Sequence, residues 1–83
     1  MNTTNTHVLR AVEILGSQTA LALACGVKQA HVWKWLRSKR IPADRAMRIE
    51  RLTHGAVKVE DLRPDLVSDM AYIRGARHQE QAA

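Results

Sequence analysis

Two short runs of helix-forming residues, Gln18–Cys25 and Lys28–Arg37, lie on either side of a single glycine, Gly26. This pairing constrains the chain more than any other feature. Two helices joined by a turn of three or four residues must cross at a steep angle. The first then needs a small residue where the second passes close, and Ala22 is there. The turn needs a residue that accepts positive φ, and Gly26 is there. An apolar plug must follow, and Val27 does. The second helix needs inward positions on one face, and Val32, Trp35 and Leu36 share that face. Leu21 and Cys25 complete the inner face of the first.

The flanking sequence punctuates into more helices. Val8, Ala11, Val12 and Leu15 recur at helical spacing, so a first helix is expected to run from a Thr6 cap to about Leu15, with Gly16 as its stop. Ser17 is a good N-cap for the helix that starts at Gln18. Pro42 suits the first turn of a fourth helix, whose apolar positions are Ala43, Ala46, Met47, Ile49 and Leu52 and whose stop is Gly55. Val57–Leu62 is open between a loop, a short helical turn and one short strand. Pro64 bars a continuous helix through that region. Leu66, Val67, Met70, Ile73 and Arg74 then fit a fifth helix, and the polar stretch from Gly75 to Ala83 is expected to fray.

The supply of apolar residues agrees with helices. The 83 residues include no Phe and one Tyr, and alternating β-branched runs are missing. The expected fold is therefore all-α: a compact bundle of four to five short helices. Residues 1–65 would form the folded domain, and residues 66–83 a C-terminal helical extension suited to self-association. A lone cysteine, Cys25, makes no intramolecular disulfide and has no zinc spacing around it, so a buried inert thiol in a reducing cytoplasm is expected. The N-terminus is polar and no run is long enough to cross a bilayer, so neither a secretory signal nor a membrane is expected.

Charge is concentrated in one place. Residues 28–51 carry eight Lys or Arg against two acids, an excess of six, while the formal charge of the whole chain is +5. A focused basic patch suits a polyanion. The chemistry-bearing alternatives are thin. His7, His31, His54 and His78 are too scattered for a metal site, and His31 suits at most a phosphate at the flank of the second helix of the pair. No carboxylate pair, phosphate loop or nucleophile motif is present, so no enzyme, cofactor or metal is expected.

The segment from Gln18 to Arg37 resembles the helix-turn-helix of the phage Cro and CI repressor family, through Gln18, Ala22, Gly26, Val27, Gln29, Val32 and Trp35. With I-P-A-D-R-A-x-R-I-E-R-L-T-x-G after the basic turn and D-L-R-P-D beyond, about Thr6 to Leu66 looks like the YdaS branch, a group of Cro-like prophage regulators described as antitoxin-like. The resemblance implies a lambda-repressor-like DNA-binding domain with its second motif helix in the major groove.

With Val32, Trp35 and Leu36 inward, the outward face of that helix holds Lys28, Gln29, Ala30, Trp33, Lys34 and Arg37. By resemblance, Gln29, Ala30, Trp33 and Lys34 occupy base-reading positions, with Lys28 beside them. Gln29 suits the N6 and N7 of adenine, Lys34 the O6 and N7 of guanine or else a phosphate, and Ala30 a thymine methyl. Trp33 departs from the family pattern, where a small or polar residue is commoner. It packs either on thymine methyls and sugar edges or against the N-terminal helix. Phosphate contacts are expected from Gln18 and Thr19 at a helix start, and from Arg37, Lys39 and Arg40. Arg45, Arg48 and Arg51 lie on the fourth helix, and the latter two are alternatively paired with Asp44 or Glu50.

One such motif reads few base pairs, so a homodimer or larger assembly on operator DNA is expected; the segment with Leu66, Met70 and Ile73 either supplies the contact or packs on its own domain. The implied function is a repressor acting in the bacterial cytoplasm and nucleoid. The alternative is an antitoxin-like protein-binding module that pairs with a toxin partner through the basic face, and a third reading is an RNA binder.

Overall fold

In the computed structural model the chain begins its first helix under the control of Asn5. α1 spans Thr6–Leu15, and Asn5 Oδ1 accepts from the backbone N–H groups of His7 and Val8 at 3.1 and 3.2 Å. The cap is therefore one residue earlier than the expected Thr6; asparagine is the stronger capping residue, and its amide reaches two orphan donors at once. Gly16, at φ 108°, closes the helix by donating to Val12 O at 2.8 Å. The structure describes residues 4–82, with side chains described through residue 76; Met1–Thr3 and Ala83 lie outside it, as does the side chain of His78.

α2 spans Gln18–Cys25 and meets α1 at 89°. Ser17 caps it as expected, its Oγ accepting from the Ala20 N–H at 3.0 Å. Gly26 ends it in the left-handed conformation, φ 72° and ψ 30°, and the Val27 N–H donates back to Ala22 O at 3.0 Å. These bonds satisfy carbonyls that the helix end leaves unpaired. α3 spans Gln29–Leu36, with Lys28 and Arg37 as its N-cap and C-cap positions, one residue inside each expected bound.

α4 spans Ala43–Leu52. Pro42 holds the N-cap position with ψ 139°, rather than the first turn, and its carbonyl accepts from Ala46 at 2.9 Å. Beyond α4 the chain reverses through His54 and Gly55, both at positive φ. The buried Thr53 fixes this reversal: its Oγ1 donates to Ile49 O at 2.9 Å and accepts from the Val57 N–H at 3.1 Å. The segment left open resolves as a short helix, α5, Val59–Leu62, whose Asp61 carboxylate accepts from the Lys58 N–H at 3.0 Å. A 3-10 turn over Pro64–Leu66 leads into α6, Val67–Ala82.

The described residues thus form six α-helices and no strand, one helix beyond the expected four to five. α6 runs through Gly75 to Ala82 without a break. No single described helix is long and apolar enough to cross a membrane.

One core joins all six helices. Val8 and Ala11 from α1 meet Leu21, Ala22 and Cys25 from α2, and Val32 and Trp35 from α3; Ile41, Ala46, Ile49, Val57, Val59, Leu62 and Met70 close it. Val27 and Leu36 pack at its edge, half-buried rather than fully enclosed. Burial pushes the Cys25 thiol up from its ordinary value, against the opposing pull of Arg48 and Arg45.

Two polar clusters fasten the later helices. Arg74 Nη2 donates to Glu50 Oε1 and Glu60 Oε1, both at 2.6 Å, joining α6 to α4 and α5. Glu50 Oε1 also accepts from the Val59 N–H at 3.0 Å. In the second cluster Arg63 grips Asp65 through two bonds of 2.9 and 2.8 Å and donates to Ile41 O at 3.1 Å. The alternative pairing of Arg48 and Arg51 with Asp44 and Glu50 is not formed. Asp44 lies 3.8 Å from its neighbour Arg45, and Glu50 belongs to Arg74, whose guanidinium reaches it bidentately.

Candidate nucleic-acid interface

The inner face of α3 is fixed by Val32 and Trp35, the latter 7% exposed. The helical period then turns Gln29, Ala30, Trp33 and Lys34 outward, and all four are exposed. Lys28 at the N-cap and Arg37 at the C-cap are exposed as well. The outward set named from the sequence therefore lies along one helix face.

α3 is held in place at both ends. At its start, Gln29 Nε2 donates to Gln18 Oε1 at 2.7 Å, tying the first residue of α3 to the first residue of α2. At its end, Asn5 N–H donates to Leu36 O at 2.6 Å and Asn5 Nδ2 to Ser38 O at 2.9 Å. The residue that starts α1 thus also satisfies carbonyls at the close of α3. This double role has no sequence signal beyond the capping preference of asparagine, because the partners lie more than thirty positions away.

The two tryptophans of α3 part company as their spacing requires. Trp33 is 48% exposed, and the Arg37 guanidinium lies over its ring, 4.2 Å from the centroid. The indole also lines a shallow cleft with Leu9, Gln18 and Leu36, so it leans toward α1. Thr19 is exposed beside a half-buried Gln18 at the start of α2.

The basic turn after α3 is more constrained than its sequence suggests. Ser38 Oγ accepts from the Arg40 N–H at 3.0 Å and donates to Arg40 O at 3.0 Å. Lys39 is exposed. Arg40 is exposed too, yet its Nη2 lies 3.7 Å from Asp65 Oδ2. Asp65, its pKa held down to about 2 chiefly by its hydrogen bonds from Arg63, keeps an anion beside Arg40 at neutral pH. Arg45 faces elsewhere, donating to Cys25 O at 3.1 Å and so capping α2. Neither the charge of Asp65 beside this turn nor the inward role of Arg45 has a local sequence signal. Among the described residues no group of three or more His, Cys, Asp or Glu is placed to hold a metal ion.

Residues 8–70 match the profile of the family described as "Bacterial toxin YdaS". A curated relative in Escherichia coli (strain K12), "Putative transcriptional regulator YdaS", is 39% identical over 75 residues, which cover 89% of this chain and 74% of that protein. The chain belongs to the YdaS family. Its fold is also that of a solved Cro protein. The Cro protein from "putative prophage element Xfaso 1" in Xylella fastidiosa strain Ann-1 superposes with a TM-score of 0.69 at 42% identity, over 80% of this chain and 95% of that one. The resemblance drawn from Gln18–Arg37 and its flanks therefore holds for this YdaS-family chain, as does the all-helical fold class.

Proposed function

We propose that this YdaS-family protein is a DNA-binding transcriptional regulator of the repressor type, acting in the bacterial cytoplasm by occupying an operator. The observation that carries the reading is the outward face of α3, where exposed Gln29, Ala30, Trp33 and Lys34 lie opposite the buried Val32 and Trp35. An α-helix of this kind fits the B-DNA major groove, with its N-terminal residues toward base edges. Lys28, Gln29, Ala30 and Lys34 read bases, with Trp33 beside them. Gln18 and Thr19 at the start of α2, with Arg37, Lys39 and Arg40, meet phosphates. The names of the relatives, a transcriptional regulator and a Cro protein, support the same reading.

Two copies on a palindromic site, about one helical turn apart, give the specificity that one α3 lacks. In this reading residues 1–65 are the DNA-binding unit, and 66–83 the extension that serves self-association. Of the three residues expected at that contact, Met70 is buried in its own core and Leu66 packs against it. Ile73, with the exposed Val67 and Tyr72, carries the apolar surface that the extension leaves open.

The test is selection of duplexes from a random-sequence pool by the purified protein, followed by gel shifts across a salt series. A shared half-site with inverted symmetry, and affinity that falls steeply with salt, is expected. Equal affinity for every duplex, or affinity indifferent to salt, overturns the proposal.

A further inference from the structure

The sequence assigns Trp33 to the base-reading set, but its surroundings argue for another role. One face of the indole is covered by the Arg37 guanidinium at 4.2 Å, and the ring borders the cleft that also holds Leu9, Gln18 and Leu36. A face so covered has no room for a base or a thymine methyl. The ring stands at the edge of the outward face of α3, on the side that borders Leu9 of α1 and Gln18 at the start of α2. Arg37 itself sits at the C-cap of α3, the end farthest from the residues that enter the groove first.

We propose that Trp33 is a positioning residue, and that its indole holds Arg37 as a phosphate clamp at the cleft shared with Gln18. The inference rests on the DNA-binding reading above and adds to it how one contact is built. A free arginine side chain samples many rotamers and loses that freedom on binding. Stacking on an indole fixes the guanidinium plane, and it leaves the in-plane N–H groups at the outer edge free to donate. A phosphate is bound by two parallel N–H donors of that kind. Gln18 completes the cleft: its Oε1 is occupied by the Gln29 amide, so what it presents to an anion is its own NH2 group. Trp33 then contributes affinity that is independent of base sequence, through a residue four positions away.

The experiment measures the salt dependence of binding to one duplex selected from a random pool by the unmodified protein, for Trp33→Ala, Trp33→Phe, Arg37→Ala and the double variant Trp33→Ala/Arg37→Ala. Selection from the pool is repeated with Trp33→Ala and Arg37→Ala, and thermal melts check that each variant is folded. A lost phosphate contact makes the slope of log K against log salt shallower by about 0.9 per protomer. Trp33→Ala and Arg37→Ala are each expected to show that change, and the double variant no more than either alone. Trp33→Phe, which keeps an aromatic face, is expected to restore most of the slope, and the selected sequence is expected to stay the same. A changed base preference with an unaltered slope in Trp33→Ala overturns the proposal and returns Trp33 to base reading. A changed preference in Arg37→Ala overturns it in favour of a guanine contact. Additive slope changes in the double variant overturn the coupling between the two residues. Failure of the unmodified protein to bind DNA overturns this inference together with the function it rests on, whereas the other failures leave that function standing.

Discussion

Gln29 Nε2 donates to Gln18 Oε1 at 2.7 Å, so the opening residues of the two motif helices present one joined pair of amides. The bond holds the Gln29 carboxamide at a set angle, which a bidentate contact to adenine needs. Replacing Gln29 with Ala is expected to relax preference at one base position, at a cost of about 1–3 kcal/mol for the preferred base. Replacing Gln18 with Ala is expected to lower affinity for all duplexes and to soften preference at that same position only in part. Competition binding with single-base variants of a selected site measures both. Identical effects from the two variants show that the pair does not divide its work this way.

Asn5 has two duties, and its replacement by Ala should expose both. Loss of an N-cap costs about 1 kcal/mol. The bond from Asn5 Nδ2 to Ser38 O disappears as well, which loosens the chain just past α3. A fall in Tm of several degrees is expected, about 4–8 °C per kcal/mol for a domain of this size. Hydrogen exchange should rise at the N-terminal turn of α1 and around Ser38 together. Faster exchange confined to α1 means that the tie to Ser38 carries no stability.

Most of the architecture was legible because helix periodicity and its punctuation are local. The inward set Val32 and Trp35, the Ser17 cap and the Gly26 turn each depend on residues within a few positions of one another. What escaped was long-range. Arg74 sits in an apolar stripe at helical spacing, yet it serves Glu50 and Glu60, 24 and 14 positions away. The approach of Arg40 to Asp65, 3.7 Å apart but distant in sequence, has no local signal either. α5 was ambiguous because four residues are too few to establish a period. Continuation of α6 through Gly75 was hidden by glycine, which costs a helix only about 1 kcal/mol and is overridden when neighbours support the turn.

The Arg74 cluster should give the fold part of its pH dependence. The hydrogen bonds from Arg74 hold both the Glu50 and Glu60 carboxyls below the usual carboxylate range. A carboxyl depressed in the folded state contributes stability that is present above its unfolded value and lost as pH falls through the folded one. Tm should therefore be flat near neutrality and decline below about pH 4.5. Arg74→Met removes the partner and leaves two facing carboxylates. It should lower stability at pH 7 by about 1–2 kcal/mol, a figure kept low by the partial exposure of the guanidinium. The variant should also lose less on acidification than the parent, because protonating the two acids then relieves repulsion. An acid-side decline as steep in Arg74→Met as in the parent assigns the pH dependence to other carboxylates, Asp65 first among them.

Gly26 tests the turn by itself. Its φ of 72° is a conformation that side chains rarely adopt, but a Cβ there meets nothing within 4 Å. Gly26→Ala therefore carries a backbone penalty without a clash, about 1–2 kcal/mol. Gly26→Asn should cost less, since asparagine tolerates the left-handed region. Chemical denaturation of the three proteins ranks them as Gly, then Asn, then Ala. If Ala equals Gly, the turn relaxes to another geometry.

The two tryptophans of α3 should separate stability from binding. Trp35 packs in the shared core at 7% exposure, whereas Trp33 is 48% exposed at the surface. Truncating a buried Trp costs about 3–5 kcal/mol. That is a large part of the total stability of a small domain, about 5–15 kcal/mol. Trp35→Ala is therefore expected to melt far below the parent or to be unfolded at room temperature, while Trp35→Leu retains more of the core. Trp33→Ala forfeits its stack with Arg37 and its share of the cleft wall, about 1 kcal/mol or less. It should fold normally and show its defect in DNA binding alone. Circular dichroism melts of the three variants decide the matter. A Trp33→Ala protein as unstable as Trp35→Ala places the indole in the core, and its effects on DNA binding would then follow from a disordered α3.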